Sequence, residues 1–179
     1  VTHKQKILQI KSSENLKIAE DFLADNRKKE GIISLEKGQL QYQTLEEGNG
    51  KTVNEESSPL IHYEGKFING QVFDSSAKRG NPITLPLKSA IPGFRKGIAG
   101  MKEGEKRRLF IHPALGYESR GRPHPNSLLI FDIEIVQAES KKTPANPPHK
   151  QAIEKQEVLP PENKETSFRW INKLTEPIF

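Results

Sequence analysis

Residues Leu60–Phe67 alternate in polarity, with Ile61, Tyr63 and Phe67 on one side of an extended chain and His62, Glu64 and Lys66 on the other. Asn69-Gly70 follows, and Val72-Phe73-Asp74 returns as a second extended run. Asn-Gly between two such runs is a strong short-range hairpin signal, because both residues accept the positive φ of a tight reverse turn. An isolated hairpin is marginal in water, so this one predicts further strands and a core on one face. It also sets an aromatic and a carboxylate, Phe73 and Asp74, side by side at the exit of its second strand.

The rest of the central chain supplies those strands. Leu40–Leu45 alternates weakly and ends at Gly48-Asn49-Gly50; Lys106–Ile111 and Leu128–Val136 read as strands. In the last of these Leu129, Phe131, Ile133 and Ile135 share one face. Ile83–Leu87 is a strand interrupted by Pro86, which cannot donate to a ladder and so belongs at an edge or bulge. Pro92 suits the first turn of a short helix running to about Met101. Many short strands with one short helix define an α+β domain, an antiparallel sheet with a helix on one face.

Two flanking segments differ. Glu14–Glu30 has Leu16, Ala19, Leu23 and Ala24 at helical spacing, a candidate N-cap at Ser13 and a stop at Gly31. The first dozen residues are polar and carry no secondary-structure signal. After Glu139, Pro is interleaved with Lys and Glu, and six of the 13 prolines fall in the last 40 residues. Such a composition buries too little apolar surface to offset its ordering entropy, so 140–166 reads as an extended linker. Phe168, Trp170, Ile171 and Leu174 then form an apolar patch that is expected to dock, either on this domain or on a partner. The chain thus divides into a helical arm (1–38), a central domain (39–139) and a Pro-rich tail (140–179).

Charge and motifs exclude several functions. The net charge is +5, but Lys plus Arg outnumber Asp plus Glu by only 8 to 6 before residue 39, 13 to 12 over 39–139 and 7 to 5 afterwards. The tightest basic cluster, Lys106-Arg107-Arg108, alternates between strand faces and reads as a solvated edge, so no nucleic-acid partner is expected. No apolar run reaches the ~20 residues that span a bilayer. The chain has no cysteine, which removes disulfides and thiolate chemistry. His3, His62, His112, His124 and His149 lack metal-ligand spacing, and neither a Gly-x-Ser-x-Gly elbow nor a phosphate loop is present. No metal or cofactor is expected. The surviving reading is an apolar pocket with few polar groups, suited to holding a small hydrophobic segment.

Ile61-His62-Tyr63-Glu64-Gly65, Val72-Phe73-Asp74-Ser75-Ser76, Ile91-Pro92-Gly93-Phe94 and Leu129-Ile130-Phe131-Asp132-Ile133-Glu134 together resemble the FKBP-type peptidyl-prolyl cis-trans isomerase domain, over roughly residues 39–137. Asn15-Leu16-Lys17, Phe22-Leu23-Ala24-Asp25-Asn26 and Gly38-Gln39-Leu40-Gln41-Tyr42 resemble its bacterial macrophage-infectivity-potentiator branch, which carries a helical arm ahead of the domain. The resemblance implies a half-barrel sheet of about five or six strands wrapped on the helix. It implies a prolyl-binding pocket made of Tyr63, Phe73, Asp74, Ile83, Ala90, Ile91, Phe94, Tyr117 and Phe131, with Arg79 supporting Asp74. Tyr63, Asp74 and Tyr117 carry the implied catalytic roles. Proline-containing polypeptides are the implied substrates, macrolides of the rapamycin type the implied inhibitors, and the periplasm or outer membrane of a bacterium the implied site of action, with the cytoplasm left open. Relatives dimerise through a longer N-terminal region; with little chain ahead of the helix, a monomer or weak association is expected here.

Three departures bear on activity. Phe94 stands where many members have tryptophan, and Ile83 where many have phenylalanine. Between Tyr117 and Leu128, the segment Glu118–Ser127 carries two arginines and two prolines in place of overhanging aliphatics. These features leave a second reading, a non-enzymatic chaperone or proline-segment binding module using the same pocket. In the isomerase reading neither nucleophile nor metal is needed. The barrier, ~18–20 kcal/mol, is lost amide resonance. A dry aromatic box disfavours the planar amide relative to the twisted one, and each ~1.4 kcal/mol of selective stabilisation gives about tenfold in rate. On this basis Asp74→Ala and Tyr117→Phe are expected to lower turnover without unfolding the protein.

Overall fold

The computed structural model describes residues 2–120 and 124–140. Helix α1 spans His3–Asn26, so it starts well before the expected Glu14. Its start signal is a capping box: the Thr2 hydroxyl accepts from the Gln5 amide N–H, and the Gln5 side chain accepts from the Thr2 N–H. The polarity of the first dozen residues marks a solvated helix, with Ile7 and Ile10 left 40% and 50% exposed. Ser13, expected as the cap, lies inside and donates to the Ile10 carbonyl at 3.1 Å. Gly31 takes φ +77° in the turn that follows the helix.

Among the described residues, seven strands form one antiparallel sheet: β1 (Ile32–Leu35), β2 (Leu40–Glu46), β3 (Leu60–Phe67), β4 (Val72–Ser75), β5 (Ile83–Thr84), β6 (Lys106–Ile111) and β7 (Leu129–Gln137). The path runs β1-β2-β6-β7-β3-β4. Strand β5 shares the outer edge of β3 with β4: Leu60 and Ile61 pair with β5, and Glu64, Gly65 and Lys66 pair with β4. The expected strand at Ile83–Leu87 is thus a two-residue edge strand that stops before Pro86. Strand β1 was not expected. Four residues are too few for a periodic signal, and its pairing with β2 brings residues 32–35 into the same sheet as the central domain.

Period-two alternation sorts the core into two layers. Leu109, Ile111, Leu129, Phe131, Ile133 and Ile135 face a cluster that includes Phe94 and Ile98 of helix α2 (Pro92–Ile98). Phe110, Leu128 and Ile130 face the other way, against Ala19 and Leu23 of α1. Helix α2 packs tightly because Gly97 leaves room for β6: a Cβ there would lie 2.6 Å from Leu109 Cδ1. The C-terminal end of α1 is held by a buried amide pair. Asn26 Nδ2 donates to Gln41 Oε1 at 3.0 Å, and Gln41 Nε2 donates to the Leu23 carbonyl at 2.8 Å.

The basic cluster is not a solvated edge. Strand β6 lies between β2 and β7, and Arg107 is buried at 8% exposure. Its Nε donates to Glu105 Oε1 at 2.8 Å, its Nη1 donates to the Gly97 carbonyl at 3.0 Å, and its guanidinium lies 4.1 Å from the Tyr42 ring centroid. A buried cation is tolerated because every side of it finds an acceptor or a π face. Among the described residues there is no cluster of three or more potential metal ligands, and no helix is long and apolar enough to cross a membrane. Ser140, expected as the first linker residue, is instead buried, its N–H donating to the Ser58 carbonyl at 3.0 Å; the rest of the expected linker and the patch at Phe168, Trp170, Ile171 and Leu174 lie outside the described residues.

Candidate functional site

The alternation of β3 and β7 turns Tyr63 and Phe131 to the α2 side of the sheet, at 4% and 0% exposure. Phe94 rises from α2 beneath them, its ring edge-on to Phe131 at 4.4 Å between centroids. Phe73 of β4 meets Phe131 edge-on at 5.5 Å, and Tyr63 stands 6.5 Å from the same ring. Edge-to-face rings at these separations attract beyond their area of contact. Ile83 and Ile91 are buried in this cluster, and Ala90, Phe73 and Tyr117 pack against it half-exposed. The three half-exposed residues mark where the cluster meets solvent.

One carboxylate enters this apolar group. Asp74, at 6% exposure, accepts on Oδ2 from the Tyr63 hydroxyl at 2.9 Å and from Arg79 Nη2 at 2.7 Å. Arg79 sits on a short 3-10 turn after β4, which returns its guanidinium to within 5.9 Å of the Tyr63 ring centroid. A carboxylate this buried is costly unless partnered, and here a cation and a phenol partner it. Burial pushes the Tyr63 hydroxyl far above its ordinary range, the Asp74 charge adding to that and the Arg79 charge opposing it. Burial likewise pushes Tyr117 well up, with Asp74 and Arg79 acting in the same opposed senses. Both phenols therefore keep their protons throughout the working pH range and stand as hydrogen-bond donors.

Of the ten residues expected at the site, Phe73, Phe94 and Tyr63 each meet Phe131 ring to ring, Asp74 ties Tyr63 to Arg79, and Ile83, Ala90, Ile91 and Tyr117 lie in or against the same hydrophobic core. Sequence reasoning missed Gly65. It pairs with Phe131 on one neighbouring strand and with Asp74 on the other. A Cβ at this position would lie 2.5 Å from Phe131 Cε1 and 2.8 Å from Phe73 Cζ, so the glycine lets both rings close over the strand. A glycine inside an alternating strand is itself a sign of close approach. Also unexpected are two aromatic contacts at the rim, Phe67 on Phe73 and the His124 ring edge-on to Phe67, each at 4.7 Å.

Known proteins resemble this chain in both sequence and fold. Residues 49–136 match the model of the FKBP-type peptidyl-prolyl cis-trans isomerase domain, and residues 1–44 match the model of the domain amino-terminal to it. The peptidyl-prolyl cis-trans isomerase Mip of Chlamydia pneumoniae is 49% identical over 141 residues, covering 79% of this chain and 55% of that protein. The crystal structure of FkpA from Escherichia coli superposes with a TM-score of 0.69 at 32% identity, over 74% of this chain and 63% of that one. That of AtFKBP13 gives 0.54 at 34% identity, over 59% of this chain and 96% of that one. The chain spans about half the length of the curated relatives it matches. The two family models together cover most of the chain, and the chain belongs to the FKBP-type peptidyl-prolyl cis-trans isomerase family.

Proposed function

We propose that this chain accelerates cis-trans isomerisation of X-Pro bonds in polypeptides through the Tyr63–Phe73–Phe94–Phe131 cluster. The observation that carries the reading is the partnered carboxylate at the mouth of an aromatic cluster. Asp74 is buried, bonded to both Tyr63 and Arg79, and close enough to Tyr117 to shift its titration. Rotation about the amide neither forms nor breaks a covalent bond. The prolyl ring rests on Phe131 and Phe94, between Phe73 and Tyr63, where water cannot solvate the charge-separated planar amide. The Tyr117 hydroxyl donates to the substrate carbonyl oxygen as its carbon turns out of conjugation. Preorganised donors of this kind act without reorganisation cost at the moment of reaction. The smaller Phe94 still closes the base, since its ring meets Phe131 directly.

Spontaneous X-Pro isomerisation takes tens to hundreds of seconds, so a protease-coupled prolyl-peptide assay reads the activity directly. The full chain at micromolar concentration is expected to accelerate the slow phase, and a Tyr117→Phe variant to do so less. An unchanged slow phase with folded protein contradicts the isomerase reading and leaves binding of proline segments as the function. By the same resemblance, macrolides of the rapamycin type are expected to compete for the site, and the bacterial envelope is the proposed place of action.

A further inference from the structure

The segment after Tyr117 does not stand alone: it is tied to α1, more than a hundred residues earlier. Asn15 Nδ2 donates to the Pro125 carbonyl at 2.9 Å, and Asn126 Nδ2 donates to Ser12 Oγ at 2.8 Å. Ser12 and Asn15 lie three positions apart, so they sit on one face of the helix. The Asn126 N–H then donates to the Glu118 carbonyl at 2.8 Å, which joins the tied end of the segment to the residue next to Tyr117. Glu118 and Asn126 have φ of +51° and +54°, a region that non-glycine residues adopt at a cost unless something holds them there. The segment leaves into β7 through Leu128, which is buried against α1 beside Leu23 and Ala19. Between these anchors His124 lies on Phe67, Phe67 on Phe73 and Phe73 on Phe131.

We propose that Ser12 and Asn15 of helix α1 are positioning residues that set the rim of the prolyl site, by holding Pro125 and Asn126 so that His124 braces the Phe67–Phe73 wall and Glu118 fixes the approach to Tyr117. The arm then acts on the site itself as well as extending from the domain. This inference rests on the proposed isomerase reading for its catalytic consequence, and its physical consequence stands independently. Because the helix touches the rim and not the Phe131–Phe94 base, its effect falls on how a substrate is held beside the proline more than on rotation itself. Loss of the ties is therefore expected to raise KM with kcat little changed, and to do so unequally for peptides that differ in the residue before proline.

The test is the full chain carrying Asn15→Leu, which keeps the size, adds no charge and removes the donor, combined with Ser12→Ala. Ser12→Thr, which keeps the hydroxyl, serves as the conservative control. Two readouts are taken: steady-state isomerisation of peptides with alanine, leucine or glutamate before proline, and NMR titration of His124, assigned through a His124→Gln variant. Partial burial holds the His124 titration below its ordinary 6.5, with Lys11 of the arm adding to the shift. The double variant is expected to raise KM about threefold or more for at least one peptide and to move the His124 titration up towards 6.5, while Ser12→Thr resembles the parent in both. An unmoved His124 titration overturns the proposal, whether or not the chain isomerises prolyl bonds. A moved titration with KM unchanged for every peptide, in a parent that is active, overturns the positioning role. A parent with no activity but a moved His124 leaves the coupling standing and defeats the isomerase reading alone.

Discussion

Asp74 carries more structural weight than its sequence position suggests. Read as a pocket acid, it was expected to be dispensable for folding. In the structure its side chain and that of Arg79 are 8% and 15% exposed, and Tyr63 bonds to the same oxygen. Asp74→Ala leaves a guanidinium and a phenol buried without their acceptor, a class of change that costs about 3–5 kcal/mol. Its thermal midpoint is expected to fall along with its prolyl-isomerase rate, whereas Tyr117→Phe lowers the rate with the midpoint nearly unchanged. Calorimetry beside the peptide assay separates the two, and an Asp74→Ala midpoint equal to the parent's contradicts the structural role. At Gly65 a single methyl meets both Phe131 and Phe73. Phe131 is fully buried and cannot retreat from its packed cluster, so Gly65→Ala is expected to cost about 1–3 kcal/mol by overpacking and to depress activity. Urea denaturation checks the first effect; full activity in a variant of unchanged midpoint would sink the close-approach argument.

At the scale of elements, the middle of the sheet is clamped by charge. Asp132 of β7 takes hydrogen bonds from Arg108 of β6, whose Nη2 lies 2.8 Å away, and from Lys66 of β3 at 2.9 Å. One carboxylate thus ties three neighbouring strands. Burial alone would raise its titration, but the hydrogen bonds and charges of Arg108 and Lys66 outweigh burial and hold it below the ordinary 3.8. The sign follows from linkage: the unfolded chain takes up this proton at a higher pH than the folded one. The clamp's contribution is therefore complete above about pH 4, where the unfolded carboxyl is ionised, and is lost as pH falls through the depressed folded value. Asp132→Asn is expected to lower stability at neutral pH and to flatten the acid limb below about pH 4. Denaturant midpoints measured for both proteins from pH 7 down to pH 3 check this. Parallel acid limbs would show that other carboxylates carry the dependence.

At the scale of the molecule, α1 is half arm and half core. Its second half buries Ala19 and Leu23 over Phe110, Leu128 and Ile130, which are 6%, 2% and 9% exposed. Leu23→Ala is expected to destabilise by about 2–5 kcal/mol, as a buried Leu→Ala does. Residues 39–140 alone carry the α2-side cluster and six of the seven strands, so that fragment is expected to fold cooperatively. It lacks β1 and the helix that covers Phe110 and Ile130, so its thermal midpoint lies below that of residues 2–140. Scanning calorimetry of the two fragments tests both statements; a fragment 39–140 with no cooperative transition contradicts an autonomous central domain.

Much of this was legible in the chain. The alternation of Leu60–Phe67 and Leu129–Ile135, the Asn69-Gly70 turn and Pro92 at the first helical turn act over a few residues. Their physics is local, and those elements stand where it put them. The blocks around Tyr63, Asp74, Phe94 and Phe131 named residues that touch: Tyr63 and Phe94 meet Phe131, and Asp74 bonds to Tyr63. Other features depend on contacts between distant parts of the chain. Strand β1 exists because β2 offers it an edge, and Arg107 is inside because β6 was inserted between β2 and β7. Gly65 matters only because two aromatic residues from neighbouring strands converge on it. The ties from Ser12 and Asn15 to Asn126 and Pro125 leave no trace in local pattern, since a polar residue on a helix reads as solvated until the fold brings its partner. Periodicity determined which faces the elements would bury; the order of the strands determined what each face would meet.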